Sequence, residues 1–273
     1  MFLRCSHGFR LKHGCDTALV ELDEHLKSWN CDALIKIDIL KCFDTIPHRE
    51  LGALLEAKIG DHKFRYLIMR LLKSSILNDE GVAEKNQVGV PQGSILSPIL
   101  ANVLLHHVLD TWFADLSAKE YQGKAKLVRY ADDVVFTFAS IHQAARFYEQ
   151  LKKRFAEFGL HVNDSKFKVI ICGKSAAETC RKRGIDMPCF TFLGFRHRWG
   201  ISRNRKTRQE FSRIMRETCP KWYRNKLKDV KTEVRKCRHE KDLIPRVISW
   251  VRGISTTSLL IIITRGSLSS FAK

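Results

Sequence analysis

Two short runs place acids where a strand would otherwise keep an apolar side chain. In Ile35-Lys36-Ile37-Asp38-Ile39 an aspartate interrupts an apolar stretch. In Arg129-Tyr130-Ala131-Asp132-Asp133-Val134-Val135 two adjacent acids separate two strand-like halves. An ionised carboxylate withdrawn from water needs a compensating cation or metal. Singly, each run has an ordinary reading: Asp38 as a strand-end residue bonded to backbone, Asp132 and Asp133 as turn acids. Together they supply three acids that one sheet would bring to one point, where they would repel. Divalent cations relieve such repulsion, and two Mg²⁺ ions on shared carboxylates serve in-line phosphoryl displacement.

The elements that must position these acids are legible in the surrounding pattern. Ala18, Leu19, Leu22 and Leu26 predict a short amphipathic helix, and residues 30–43 predict a turn followed by a buried strand. Residues 48–73 are helical in pattern. Ser97-Pro98 predicts a helix start, with the helix running through Trp112. Lys126 to Ala139 predicts a hairpin around Ala131-Asp132-Asp133. Ile141, Ala144, Tyr148, Leu151, Phe155 and Phe158 form a helical stripe that Gly159 would end. Short strands fit 168–172 and 190–195. Beyond 206 the pattern predicts helices only, with Tyr223, Leu227, Val230, Val234 and Cys237 on one face and Pro220 and Pro245 as breaks.

Charge divides the chain less evenly. The 273 residues carry 48 Lys and Arg against 29 Asp and Glu, a net charge of +19. Between Arg196 and Arg246 lie 18 Lys and Arg against 6 Asp and Glu, so most of the surplus sits late. Such an excess suits a polyanionic partner, nucleic acid before an acidic membrane surface. The nine cysteines form no CxxC pair and are odd in number, which argues against a zinc ribbon or a disulfide framework. Reduced thiols in the cytoplasm are the expectation. The longest late apolar run, Leu259 to Ile263, is too short to cross a membrane.

In order along the chain stand SHGFR (6–10), IKIDILKCFDTIPH (35–48), GVPQGSILSPILANVLLHHVLDTWF (89–113), LVRYADDVVFTF (127–138), FGLHVNDSKFKVI (158–170), FTFLGF (190–195) and SWVRG (249–253). The ordered set resembles the reverse transcriptases, and within them the reverse transcriptase/maturases of bacterial group II introns. The resemblance implies an α+β fold: a right-hand polymerase palm with an antiparallel sheet on helices, then an all-helical thumb/maturase region. The palm with partial fingers would occupy 1–200, and the basic helical region 201–273.

The same resemblance implies RNA-directed DNA polymerase activity, extending a DNA primer on an RNA template from deoxynucleotide triphosphates, with binding and splicing assistance to the group II intron RNA. Asp38 and Asp132 would hold the two Mg²⁺ ions, Asp133 would join the metal site as its auxiliary acid, and the Ile39 carbonyl would complete one coordination sphere. Phe43 matches the aromatic that excludes a ribose 2′-hydroxyl. Pro91, Gln92 and Gly93 would contact the incoming nucleotide and template, with Tyr130 lying against substrate. Lys166 would assist pyrophosphate departure, and Phe192, Leu193 and Gly194 would grip the primer. Trp199, Trp222, Tyr223 and Trp250 are candidates for stacking on bases, against a plain core role for Tyr223 and Trp250.

The chain departs from the family pattern at both ends. The fingers segment expected before SHGFR is missing, so a truncated chain is the expectation. The tail ISTTSLLIIITRGSLSSFAK does not continue the maturase pattern. Two alternatives therefore stand beside the polymerase reading: a non-polymerising intron-RNA-binding maturase fragment, and an inactive remnant.

Overall fold

The fold was obtained as a computed structural model. It describes residues 2–27, 31–74, 76–77, 83–84, 88–90, 94–164, 167–173, 176–186, 188–203, 210–236 and 248. The chain divides into two compact units, Met1–Gly173 and Lys174–Lys273.

The first unit opens with helix α1 (Cys15–Lys27), whose buried stripe of Ala18, Leu19, Leu22 and Leu26 matches the sequence pattern. Strand β1 (Ala33–Asp38) follows, then helices α2 (His48–Glu56) and α3 (His62–Leu72). The Asp61 carboxylate caps α3 by accepting from the backbone N–H of Lys63 and Phe64. A two-residue ladder, β2 (Ile76–Leu77) with β3 (Ala83–Glu84), precedes α4 (Ser97–Leu105). Ser97 is the first helical residue and not the cap, and Leu96 takes the cap position.

The helix does not stop at Trp112. It passes through a π-helical turn (His106–Thr111) into α5 (Trp112–Glu120). Strands β4 (Lys126–Tyr130) and β5 (Asp133–Phe138), helix α6 (Ile141–Ala156) and strand β6 (Lys168–Ile171) complete the unit. The Ser140 side chain caps α6 at the Gln143 N–H, and Gly159 at φ +67° follows its end.

The sheet runs β4-β5-β1-β6, all neighbours antiparallel. Side chains alternate between its faces. Ile35, Ile37, Val134, Phe136 and Phe138 point to the helical side, where the Phe136 and Phe147 rings lie 4.6 Å apart and Phe113 and Phe136 5.0 Å apart. The opposite face is buried over Leu34, Val135 and Thr137, then becomes half-exposed at Lys36, Asp38 and Asp133. So the apolar pattern packs one face along its length and leaves the acids at the end of the other.

The second unit contains helix α7 (Ala176–Arg183), strands β7 (Cys189–Phe192), β8 (Phe195–Arg203) and β9 (Glu210–Thr218), and helix α8 (Pro220–Lys236). Strand β9 corrects the expectation of helix alone beyond 206. Residues 210–218 lack a clean two-residue alternation, yet they pair with β8 at nine positions, from Phe195↔Thr218 to Arg203↔Glu210. Long-range pairing here overrides local pattern. The change in charge falls near 200, whereas the division into compact units falls at Gly173. Among the described residues no helix is long and apolar enough to cross a membrane.

Candidate functional site

The register of β1 against β5 places Asp38 directly opposite Asp133. Directly paired residues of an antiparallel ladder project on one side, and like charges there are destabilising. Lys36, two residues earlier on the same face, answers part of this repulsion. Its Nζ lies 3.0 Å from the Asp133 carboxylate. Asp132 sits in the two-residue connection between β4 and β5, after Ala131 at φ +55°. Burial pushes its carboxyl above the usual carboxylate range, and the neighbouring charges of Asp133 and Asp38 push it further. The charges of Asp38 and Asp133 therefore bear on Asp132. Among the described residues, however, no three acidic, histidine or cysteine side chains converge closely enough to hold a metal ion.

The backbone around Asp38 is tied on its far side. Its carbonyl accepts from the Asn163 N–H at 3.0 Å, and Leu40 N–H donates to the His161 carbonyl at 2.9 Å. Ile39 is buried and bridges to Val162. Phe43 is half-buried against the main core, and its carbonyl accepts from Val90 N–H at 2.7 Å. This brings the Phe43 loop beside the chain leading to Pro91. Gly89 makes the approach possible: at φ +89°, a Cβ there would stand 2.6 Å from the Asp44 carbonyl oxygen. Pro91, Gln92, Gly93 and Lys166 lie outside the described residues.

Phe192, Leu193 and Gly194 belong to the second unit, at the β7–β8 hairpin. Leu193 (φ +50°) and Gly194 (φ +81°) form its two-residue turn between the paired Phe192 and Phe195. Phe192 is fully buried. Trp199 does not present itself for base stacking, because it is buried beside Phe190. Trp250 and the side chains of Trp222 and Tyr223 lie outside the described residues.

The sequence pattern missed a buried polar cluster behind the acidic sheet end. Arg129, on β4, is fully buried, and its Nε and Nη2 donate to the two Asp110 oxygens at 2.7 and 2.6 Å. Asp110 lies in the π-helical turn. Burial alone would raise its carboxyl, but the guanidinium and His106 hold it below the usual carboxylate range. A depressed carboxyl contributes stability above its unfolded value, about 4, and loses it as pH falls. We expect Asp110→Asn to lower the denaturant midpoint at neutral pH and to flatten its decline below about pH 4. Urea titrations at neutral and acid pH check this, and an unchanged acid limb would contradict it.

A family model described as reverse transcriptase (RNA-dependent DNA polymerase) matches residues 3–197, from before α1 to the first residues of β8. The chain belongs to the reverse transcriptase family. Its curated relatives include proteins encoded in introns. An uncharacterised 91 kDa protein in the cob intron of Schizosaccharomyces pombe is 43% identical over 124 residues, 45% of this chain and 15% of that protein. The group II intron-encoded protein LtrA of Lactococcus lactis subsp. cremoris is 39% identical over 121 residues, 44% of this chain and 19% of that one.

This reverse transcriptase chain thus spans less than a fifth of the length of those relatives. Among solved structures it resembles apo telomerase from Candida tropicalis, with TM-score 0.52 and 16% identity over 71% of this chain and 36% of that one. That likeness concerns the fold, an α+β palm of antiparallel sheet and helices.

Proposed function

We propose that the chain carries the palm of an RNA-directed DNA polymerase of group II intron type, extending a DNA primer on an RNA template. The observation that carries this reading is the grouping at one sheet end: Asp38 across from Asp133, with Asp132 in the adjoining turn under the repulsion of both. Carboxylates under mutual repulsion at one sheet end, with Lys36 beside Asp133, fit a divalent cation on Asp38 and Asp132. Bound there, a pair of Mg²⁺ ions would supply Lewis acidity to the primer 3′-hydroxyl and charge neutralisation to the departing diphosphate.

The chain's own residues do the rest. Asp133 with Lys36 sets the charge beside the two ligands, and the Ile39 carbonyl is the further candidate oxygen. Phe43 lies at the sugar edge of the incoming deoxynucleotide triphosphate and leaves no room for a 2′-hydroxyl. Pro91, Gln92 and Gly93 follow Val90, whose N–H is bonded to the Phe43 carbonyl, and bear on nucleotide and template, and Tyr130 lies against substrate. Lys166 donates toward the leaving diphosphate. Leu193 and Gly194 present the tight hairpin turn to the primer, with the buried Phe192 anchoring it from β7. On this reading, palm and partial fingers take residues 1–200 and the basic thumb/maturase region takes 201–273.

Replacing the Phe43 ring by Ala opens the sugar edge. Phe43→Ala is expected to raise ribonucleotide use relative to deoxynucleotide use by roughly 10–100-fold, the size of a steric discrimination in a pocket. Single-nucleotide incorporation from paired ATP and dATP reactions measures it, and an unchanged ratio would remove Phe43 from the sugar site.

A second reading has its own observation. Helix α8 exposes Lys221, Arg224, Lys226, Lys228, Lys231 and Arg235, the footprint of salt-sensitive phosphate contacts. On that reading the chain binds intron RNA and assists splicing without polymerising. Extension of a labelled DNA primer on an RNA template with Mg²⁺ and deoxynucleotides decides between the two. Mg²⁺-dependent product supports the polymerase, whereas RNA binding without product selects the maturase.

A further inference from the structure

We propose that Gly8, Asn102, Arg129 and Asp110 form a buried brace that positions the Asp132 carboxylate by holding the Ala131-Asp132 turn. The inference rests on the reading of Asp132 as a metal ligand. These four are positioning residues: none stands at the acidic sheet end, and they act through the backbone of the turn.

The turn needs holding. The first residue of a two-residue hairpin connection at positive φ is a glycine position, and here it is Ala131 at φ +55°. An L-residue reaches that region only at a cost, so such backbone persists where its surroundings over-determine it. The surroundings here do so from three directions.

Arg129 comes first. All five of its side-chain N–H donors have partners: two on Asp110, one on Asn102 Oδ1 at 2.7 Å, one on Ser6 Oγ at 2.8 Å and one on the Ala131 carbonyl at 3.0 Å. The last bond ties a buried ion pair to the strained residue itself. Asn102 comes second, its Nδ2 donating to the Gly8 carbonyl at 2.8 Å while its oxygen accepts from Arg129. Gly8 comes third. A Cβ there would stand 2.6 Å from the Ala131 backbone nitrogen, so only glycine lets this segment lie against the turn.

The flanking backbone fixes the register of that contact. Arg129 N–H donates to the Cys5 carbonyl at 2.7 Å, and His7 N–H donates to the Arg129 carbonyl at 2.8 Å. Asp110 is aimed inward from a π-helical turn, a local irregularity that recurs at functional sites. An apolar cluster would pack helix on sheet as well as this ion pair does. What an apolar cluster lacks is a directed bond to the Ala131 carbonyl.

The test uses the full chain with Mn²⁺ as probe, counting free ion by electron paramagnetic resonance, beside RNA affinity and circular dichroism. Variants are Gly8→Ala, the paired Arg129→Met/Asp110→Leu, Ser6→Ala as the mildest cut, and Asp132→Asn. Supporting groups behind a metal ligand are worth about 10–100-fold in affinity. We expect Asp132→Asn to abolish the Mn²⁺ site. Gly8→Ala and the paired variant should weaken it at least tenfold with RNA affinity and dichroism unchanged, and saturating Mn²⁺ should recover part of the lost primer extension.

Should Asp132→Asn remove the site while the folded brace variants bind as wild type, the brace is overturned and the metal reading survives. If Asp132→Asn binds Mn²⁺ as wild type does, the metal reading itself is overturned. Where the larger cuts unfold, Ser6→Ala decides: weakened binding supports the brace and wild-type binding overturns it.

Discussion

Asp132→Asn is expected to reduce primer extension about a thousandfold, the equivalent of the several kcal/mol that a positioned metal ion contributes to a phosphoryl-transfer transition state. The substitution keeps the side chain's shape and removes only its charge. Stability should move in the opposite direction from activity. Burial and the charges of Asp133 and Asp38 disfavour an ionised Asp132, so a neutral amide relieves repulsion in the folded protein. Tm is therefore expected to hold or rise while extension collapses. A purely structural Asp132 would give the reverse, a loss of stability with extension scaled to the folded fraction. Asp38→Asn should behave in the same way, since it removes the facing charge from the same sheet end.

Arg129→Ala carries the largest expected effect on stability. The guanidinium and Asp110 are both removed from solvent, with two short hydrogen bonds between them. Deleting one partner leaves the other as an uncompensated buried charge, at a cost of about 3–5 kcal/mol. Set against total stabilities of about 5–15 kcal/mol, that loss brings the unit near its unfolding midpoint. It also strands Asn102 Oδ1, Ser6 Oγ and the Ala131 carbonyl without their donor. Urea unfolding followed by circular dichroism reads the result directly. An Arg129→Ala midpoint equal to wild type would mean that the ion pair is not formed in solution. The paired Arg129→Met/Asp110→Leu substitution should cost far less, because apolar groups of similar volume replace buried ion pairs at little penalty.

Much of the acidic sheet end is legible in the sequence, because its cause is local. An aspartate ending an apolar run marks the exit of β1 from the core, and two acids between strand halves mark the β4–β5 turn. The stripe from Ala144 to Phe155 is legible for the same reason, since periodicity records which face is buried. The brace is not legible in this way. Ser6 and Arg129 are 123 residues apart in sequence, and each of Asn102, Asp110 and Arg129 reads singly as an ordinary polar residue. Only the fold reveals that their partners close on one another and on Ala131.

Gly8 illustrates the same limit. It sits inside a motif whose resemblance is plain, yet its need to be glycine arises from the backbone of residue 131. Lys36 is a further case: alternation along β1 puts it on the face of Asp38, but its bond to Asp133 depends on the register between strands. Strand β9 was hidden because its pairing with β8, and not its own pattern, makes it a strand.

On the proposed function, Asp38 and Asp132 hold a common divalent cation at the open end of the palm sheet. Anomalous diffraction from crystals soaked in Mn²⁺ tests it most directly. A manganese peak is expected at the carboxylates of Asp38 and Asp132, with Asp133 still turned toward Lys36. A peak bound elsewhere, with those two carboxylates too far apart to share an ion, would contradict it.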